Sequence, residues 1–188
     1  VEWVPSFSPL LFPTLTIFLL VFHLFIACFM AMKYWCDKRR LYLIAIAFAF
    51  AGSALLMVGT LSSFPAWLNL YQFNVVNYND AMIYFMFRHF LMAVLFIVSA
   101  ILYPTLDSPF SRLAPISIVS GAFLFTACVV GLAWIYSSHS PLLSIDLVDN
   151  ETRQFMVLWS QSINISLIVF WVVSLVTLMF VTRVRNLF

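Results

Sequence analysis

Uncharged apolar runs of helical length alternate along the chain with short stretches in which charge, proline or asparagine collect. A hydrocarbon core about 30 Å thick asks for roughly 20 apolar residues per crossing helix. Runs of that length occupy about 10–35, 41–62, 81–103, 113–136 and 156–181. The first stops at Cys36-Asp37-Lys38-Arg39-Arg40, where successive charges cannot enter lipid cheaply. The second carries Gly52, Ser53 and Gly59, small residues that let helices approach closely. Pro104 ends the third, and Arg183 and Arg185 follow the fifth. Outer-membrane barrels show strands of about ten residues with alternating polarity, and these runs do not. The pattern predicts one all-α integral membrane domain, a bundle of five transmembrane helices.

Composition agrees: of 188 residues, 64% are hydrophobic and 9% charged, where a soluble domain has about 25% charged residues. The bilayer is therefore the solvent and a partner of most of the surface. The formal charge of +2 is too small and too dispersed for a nucleic-acid surface. Its distribution is more informative than its size. Lys33, Lys38, Arg39, Arg40, Arg112, Arg183 and Arg185 fall on one side of the predicted spans and Arg153 on the other. The excess of lysine and arginine marks the cytoplasmic side, which puts the amino end outside and the carboxyl end in the cytoplasm. The chain opens on Val1 and reaches Phe188 just after a basic stretch, so a fragment of a longer chain is expected.

Arg88 and His89 lie inside the third run, roughly 10–12 Å below its outer end at 1.5 Å per residue. Ionisable groups at such depth usually face a bundle interior and mark function. Gln161 and Asn164, three apart and so on one helical face, fall at a comparable depth in the fifth run. Together with Tyr84 and Ser160 they form a candidate ligand-binding pocket in the outer part of the membrane. A plainer role for the same groups is to satisfy one another as interhelical glue. His23, near the middle of the first run, is a secondary candidate. Two axial imidazoles could hold a haem, but His89 lies roughly 8 Å nearer the outside than His23, so haem is disfavoured and no cofactor is expected in this segment. Cys28, Cys36 and Cys128 show neither a CxxC nor a Cys/His spacing, and no metal site is expected. No catalytic motif is present.

Three stretches resemble the membrane-associated sensor type 4 family, a bacterial input domain commonly placed before a GGDEF diguanylate cyclase. Val4-Pro5 through Lys33 is a proline-rich start leading into a helix that closes on a basic turn. Ser63-Phe64-Pro65 is similar to the family's phenylalanine-proline step after the second helix, and Ile83-Tyr84-Phe85-Met86-Phe87-Arg88-His89 to its aromatic segment, with Arg88 replacing a common tryptophan. His23 stands where many members carry an acidic residue. The resemblance implies a multi-pass domain of the bacterial inner membrane that senses a small or lipidic ligand. It also implies a homodimer through helices and output domain, and a separate cytoplasmic cyclase using GTP and Mg to make cyclic di-GMP, none of whose catalytic residues lie in this chain. A membrane-anchor subunit of an enzyme or electron-transfer complex is the alternative. A small transporter ranks lowest, because Pro115, Gly121 and Gly131 mark no midplane break and no second half repeats them.

Overall fold

The computed structural model describes residues 11–64, 77–103, 115–138, 147, 165–177 and 179. Four long helices, α1 (Leu11–Cys36), α2 (Tyr42–Ser62), α3 (Tyr78–Leu102) and α4 (Pro115–Tyr136), are each long and apolar enough to cross a membrane. A shorter apolar helix, α5 (Ile165–Thr177), lies within the fifth predicted run. The domain is therefore an all-helical, multi-pass membrane structure. Helices satisfy their own backbone, which lipid cannot do for them. Among the described residues four helices, not the five expected, reach spanning length; residues 156–164, 178 and 180–181 of the fifth run lie outside the described residues.

The largest difference from the predicted boundaries is at α3, which begins at Tyr78 rather than Ala81. Asn77 caps it: its side-chain oxygen accepts from the Asp80 N–H at 3.1 Å and its carbonyl accepts from the Ala81 N–H. Asp80 in the first turn also complements the positive end of the helix dipole. The polar stretch before the apolar run is thus a helix start, not the end of a loop.

At the other end of the bundle, the turn between α1 and α2 is closed by Asp37, which accepts from the Arg40 Nε at 2.9 Å and the Arg39 N–H at 3.2 Å. Both partners of the ion pair are exposed, so it shapes the turn and adds little stability.

α2 is the hub, packing against α1, α3 and α4. Ala45, Ala49 and Ser53 are fully buried, and Leu56 and Met57 nearly so. The main core joins Ala49 and Leu56 of α2 with Tyr84, Leu91 and Leu95 of α3 and Val129 and Ala133 of α4. Two glycines make this possible. A Cβ on Gly52 would lie 2.5 Å from Leu91 Cδ2 and 2.7 Å from Thr126 Cγ2, and one on Gly59 would lie 2.5 Å from the Tyr84 ring. By contrast α1 buries only Pro13, Thr16 and Ala27 among its 26 residues. Its outer surface is apolar, as contact with lipid tails allows.

Gly59→Ala drives a methyl into a rigid ring and is expected to cost about 1–3 kcal/mol. Gly121→Ala, with nothing within 4 Å of its Cβ, should instead gain roughly 0.5–1 kcal/mol of helix propensity. Thermal unfolding followed by circular dichroism in detergent measures both, and equal effects at the two sites would refute the close approach of α2 and α3.

Candidate functional site

α3 carries Tyr84, Arg88 and His89, and a turn of about 100° per residue sends them to different neighbours. Tyr84 is 3% exposed, lies over Gly59, and donates its hydroxyl to Ser137 Oγ at 3.3 Å beyond the end of α4. His89 donates from Nδ1 to the Phe85 carbonyl at 2.8 Å, while its ring lies 4.0 Å from Phe85 and 6.2 Å from Trp171 of α5. Arg88 is half-buried, with its guanidinium carbon 5.4 Å from the centre of the Phe85 ring, a cation–π contact that partly replaces lost hydration. Among the described residues no carboxylate pairs with Arg88.

His23 of α1 bonds the Leu19 carbonyl through Nδ1 at 2.6 Å and packs 5.1 Å from the Phe50 ring of α2. Each imidazole thus spends one nitrogen on the preceding turn of its own helix. Ser160, Gln161 and Asn164 lie outside the described residues. Among the described residues no three His, Cys, Asp or Glu side chains come together as a metal site.

A second polar constellation escaped sequence reasoning. Asp80, 1% exposed, accepts from the Ser138 N–H at 2.9 Å and from the Ser138 hydroxyl. Asn77 Nδ2 donates to Ser138 Oγ at 3.0 Å, and the Asn77 N–H donates to the Ser63 carbonyl at 3.0 Å. Asn79 accepts from the Leu147 N–H at 2.6 Å. These bonds fasten the end of α2, the start of α3 and the end of α4 at one face of the membrane. The available signal was the spacing Asn77-x-x-Asp80 immediately before an apolar run, a helix-start pattern akin to a capping box.

Directly beside this knot is a cavity of about 410 Å³ whose walls include Ile83, Phe87 and Phe90 of α3, Tyr136 of α4, Leu147, and Leu167 and Phe170 of α5. Its volume lies in the range of ligand sites, about 300–1,000 Å³. Phe87 and Tyr136 stack at 6.0 Å on one wall, and Phe90 meets Phe170 edge-on at 5.4 Å on another. Ile83 opens this face of α3, and Arg88 points away from it, about 140° round the helix from Ile83. The arrangement can hold an apolar molecule.

The family described as membrane-associated sensor, integral membrane domain (MASE4) matches residues 6–188. The chain belongs to the MASE4 family. No curated protein and no solved structure matches it. In this MASE4 domain the phenylalanine of the Phe64-Pro65 step is a structural joint: its ring lies 5.0 Å from Phe12 of α1 and 6.3 Å from Tyr78 of α3. The aromatic segment from Ile83 to His89 divides between the cavity wall, the core and the Arg88 site. The protein is a membrane-associated sensor domain.

Asp80→Ala removes a buried carboxylate that accepts twice from Ser138, itself exposed and able to turn to water, and is expected to destabilise the MASE4 domain by about 0.5–1.5 kcal/mol. Asp80→Asn keeps one acceptor oxygen and should lose less. Midpoints of thermal unfolding in detergent check the order, and a neutral Asp80→Ala would show that the knot does not hold the helix ends.

Proposed function

We propose that this domain is the transmembrane sensory and anchoring input of a bacterial diguanylate cyclase in the inner membrane. It receives an external or membrane-borne small or lipidic signal and passes it to a cytoplasmic GGDEF domain that condenses two GTP, with Mg, into cyclic di-GMP. The observation that carries this proposal is the sensor-family match over residues 6–188 of a multi-pass helical domain. The one-sided placement of Lys33, Lys38, Arg39 and Arg40 supports an amino end outside and a carboxyl end inside.

The cavity supports a ligand arriving through the lipid, since its walls are apolar and α5 forms one of them. A molecule wedged there changes how α5 lies on α3, and the chain runs on from α5 to Arg183 and Arg185. Arg88 and His89, with Tyr84, Ser160, Gln161 and Asn164, are a second candidate set away from the cavity, and a guanidinium with no carboxylate partner among the described residues supports an anionic or carbonyl group there. Control by a ligand requires different affinity for two arrangements. A tenfold difference corresponds to about 1.4 kcal/mol, within reach of one charge-assisted hydrogen bond at roughly 1.5–3 kcal/mol.

Cyclic di-GMP measured by mass spectrometry in cells making the full-length protein tests this. Arg88→Ala, Gln161→Ala and the cavity-filling Leu167→Trp are each expected to shift output by about tenfold, the effect of ~1.4 kcal/mol on a two-state balance. Output that stays unchanged in all three, with normal protein level, would leave the helices as a passive anchor.

A further inference from the structure

The turn between α1 and α2 gathers positive charge without the acids to match it. Lys33, Lys38, Arg39 and Arg40 are all exposed, and the one carboxylate among them, Asp37, is taken by Arg40 at 2.9 Å. Among the described residues no carboxylate answers Lys33, Lys38 or Arg39. Two of these cations instead lie over rings, Lys33 Nζ at 4.7 Å from the centre of Phe29 and Lys38 Nζ at 5.6 Å from that of Trp35. The turn that carries them is fixed in place. The Asp37 N–H donates to the Lys33 carbonyl at 3.0 Å and the Arg40 N–H to the Asp37 carbonyl at 3.2 Å. Leu41, 9% exposed, anchors the turn in a small core with Ile44 of α2 and Ala122 of α4, against which Tyr34 of α1 packs. The unanswered charges are therefore held together at one end of α1.

What adjoins the charge selects the partner. Phe29, Met32, Lys33 and Cys36 follow at spacings of three and four and so share a face of α1, with Trp35 on its flank. Trp35 is 78% exposed, and tryptophan rings favour the level of the lipid headgroups. Phe29 and Met32, 44% and 59% exposed, continue the face toward the bilayer centre, Phe29 about 9 Å deeper than Trp35 at 1.5 Å per residue. The face is cationic at its end and apolar below. A soluble anion meets only the first half and a lipid with a neutral head only the second. We propose that this end of α1 is a binding site for an anionic phospholipid, its phosphate among Lys33, Lys38 and Arg39 and its acyl chains along Phe29 and Met32. The lysines supply point charges that reach the headgroup on apolar stems, and Arg39 supplies a planar fork that matches two phosphate oxygens. The site is independent of the leaflet in which the turn lies and of any output domain.

Cys36, exposed on the same face, is a local reporter. The full chain with Cys36 as its sole cysteine is labelled there with a fluorophore and reconstituted in phosphatidylcholine vesicles. Phosphatidylglycerol carrying a nitroxide at the top of an acyl chain is expected to quench the label at lower mole fraction than phosphatidylcholine labelled in the same way. Lys38→Gln and Arg39→Gln should each weaken the apparent affinity for phosphatidylglycerol by roughly fivefold, while Lys38→Arg keeps it. Asp37→Asn removes the competing charge and releases Arg40, so it should strengthen binding, a gain that misfolding does not produce. Salt near 1 M, where the screening length is about 3 Å, should remove most of the preference. Equal quenching by the two lipids, a preference that survives Lys38→Gln combined with Arg39→Gln, or displacement of the labelled lipid by millimolar inorganic phosphate at constant ionic strength would overturn the site.

Discussion

The close approach of α2 to its neighbours at Gly52 and Gly59 is the contact from which the rest of the structure follows. In lipid, helices gain nothing by hiding apolar surface and must gain from fit. At these two positions α2 has no side chain, so Leu91, Thr126 and the Tyr84 ring sit against its backbone. Seven residues separate the glycines, which keeps both on nearly one face over two turns. Tyr84, held flat over Gly59, is then aimed at Ser137, and that brings the end of α4 to the start of α3. The Asp80–Ser138 bonds are a consequence of packing one turn deeper.

Much of this architecture was legible in the residues. Runs of about 20 apolar residues are a direct image of bilayer thickness, so α1, α2 and α4 begin and end within about two residues of their predicted limits. The start of α3 was not so legible, because Tyr78-Asn79-Asp80 is polar by composition and helical only through a cap and a partner 58 residues away. The same holds for the candidate site. Arg88 and His89 stand out because charge and imidazole are rare at membrane depth, yet their spacing cannot say which way each turns. His89 turns its ring toward Phe85 and Trp171 while Arg88 lies over Phe85, which depth arithmetic does not resolve. The cavity was illegible in principle: its walls are ordinary apolar residues, and only packing shows that they leave a gap.

Polar and apolar contacts divide the labour by position. At one face of the membrane, Ser63, Asn77, Asn79, Asp80 and Ser138 interlock through directional bonds. Bonds of this kind are strong where the dielectric is low and costly to leave unmade, so they fix the ends of α2, α3 and α4 relative to one another. At the opposite face the corresponding contact is between rings, Tyr42 and Tyr103 at 4.8 Å, beside the basic turn.

α5 stands outside that interlock among the described contacts: it meets α3 through Phe90–Phe170, His89–Trp171 and Phe96–Trp171. Ring contacts of this type are non-directional beside a hydrogen bond, each worth about 0.5–1.5 kcal/mol beyond area burial, and they can be exchanged for others at little cost as one helix slides on another. On the proposed function α5, resting on a cavity, has two positions separated by a small free energy, which is the condition for a ligand to shift a population. The three-helix core with its polar knot serves as the fixed reference, and a reference is needed, since a displacement carries information only relative to something that does not move. On the proposed function, the apolar side of α3 is where signal is received and the rigid knot beside it is what makes the resulting shift of α5 readable.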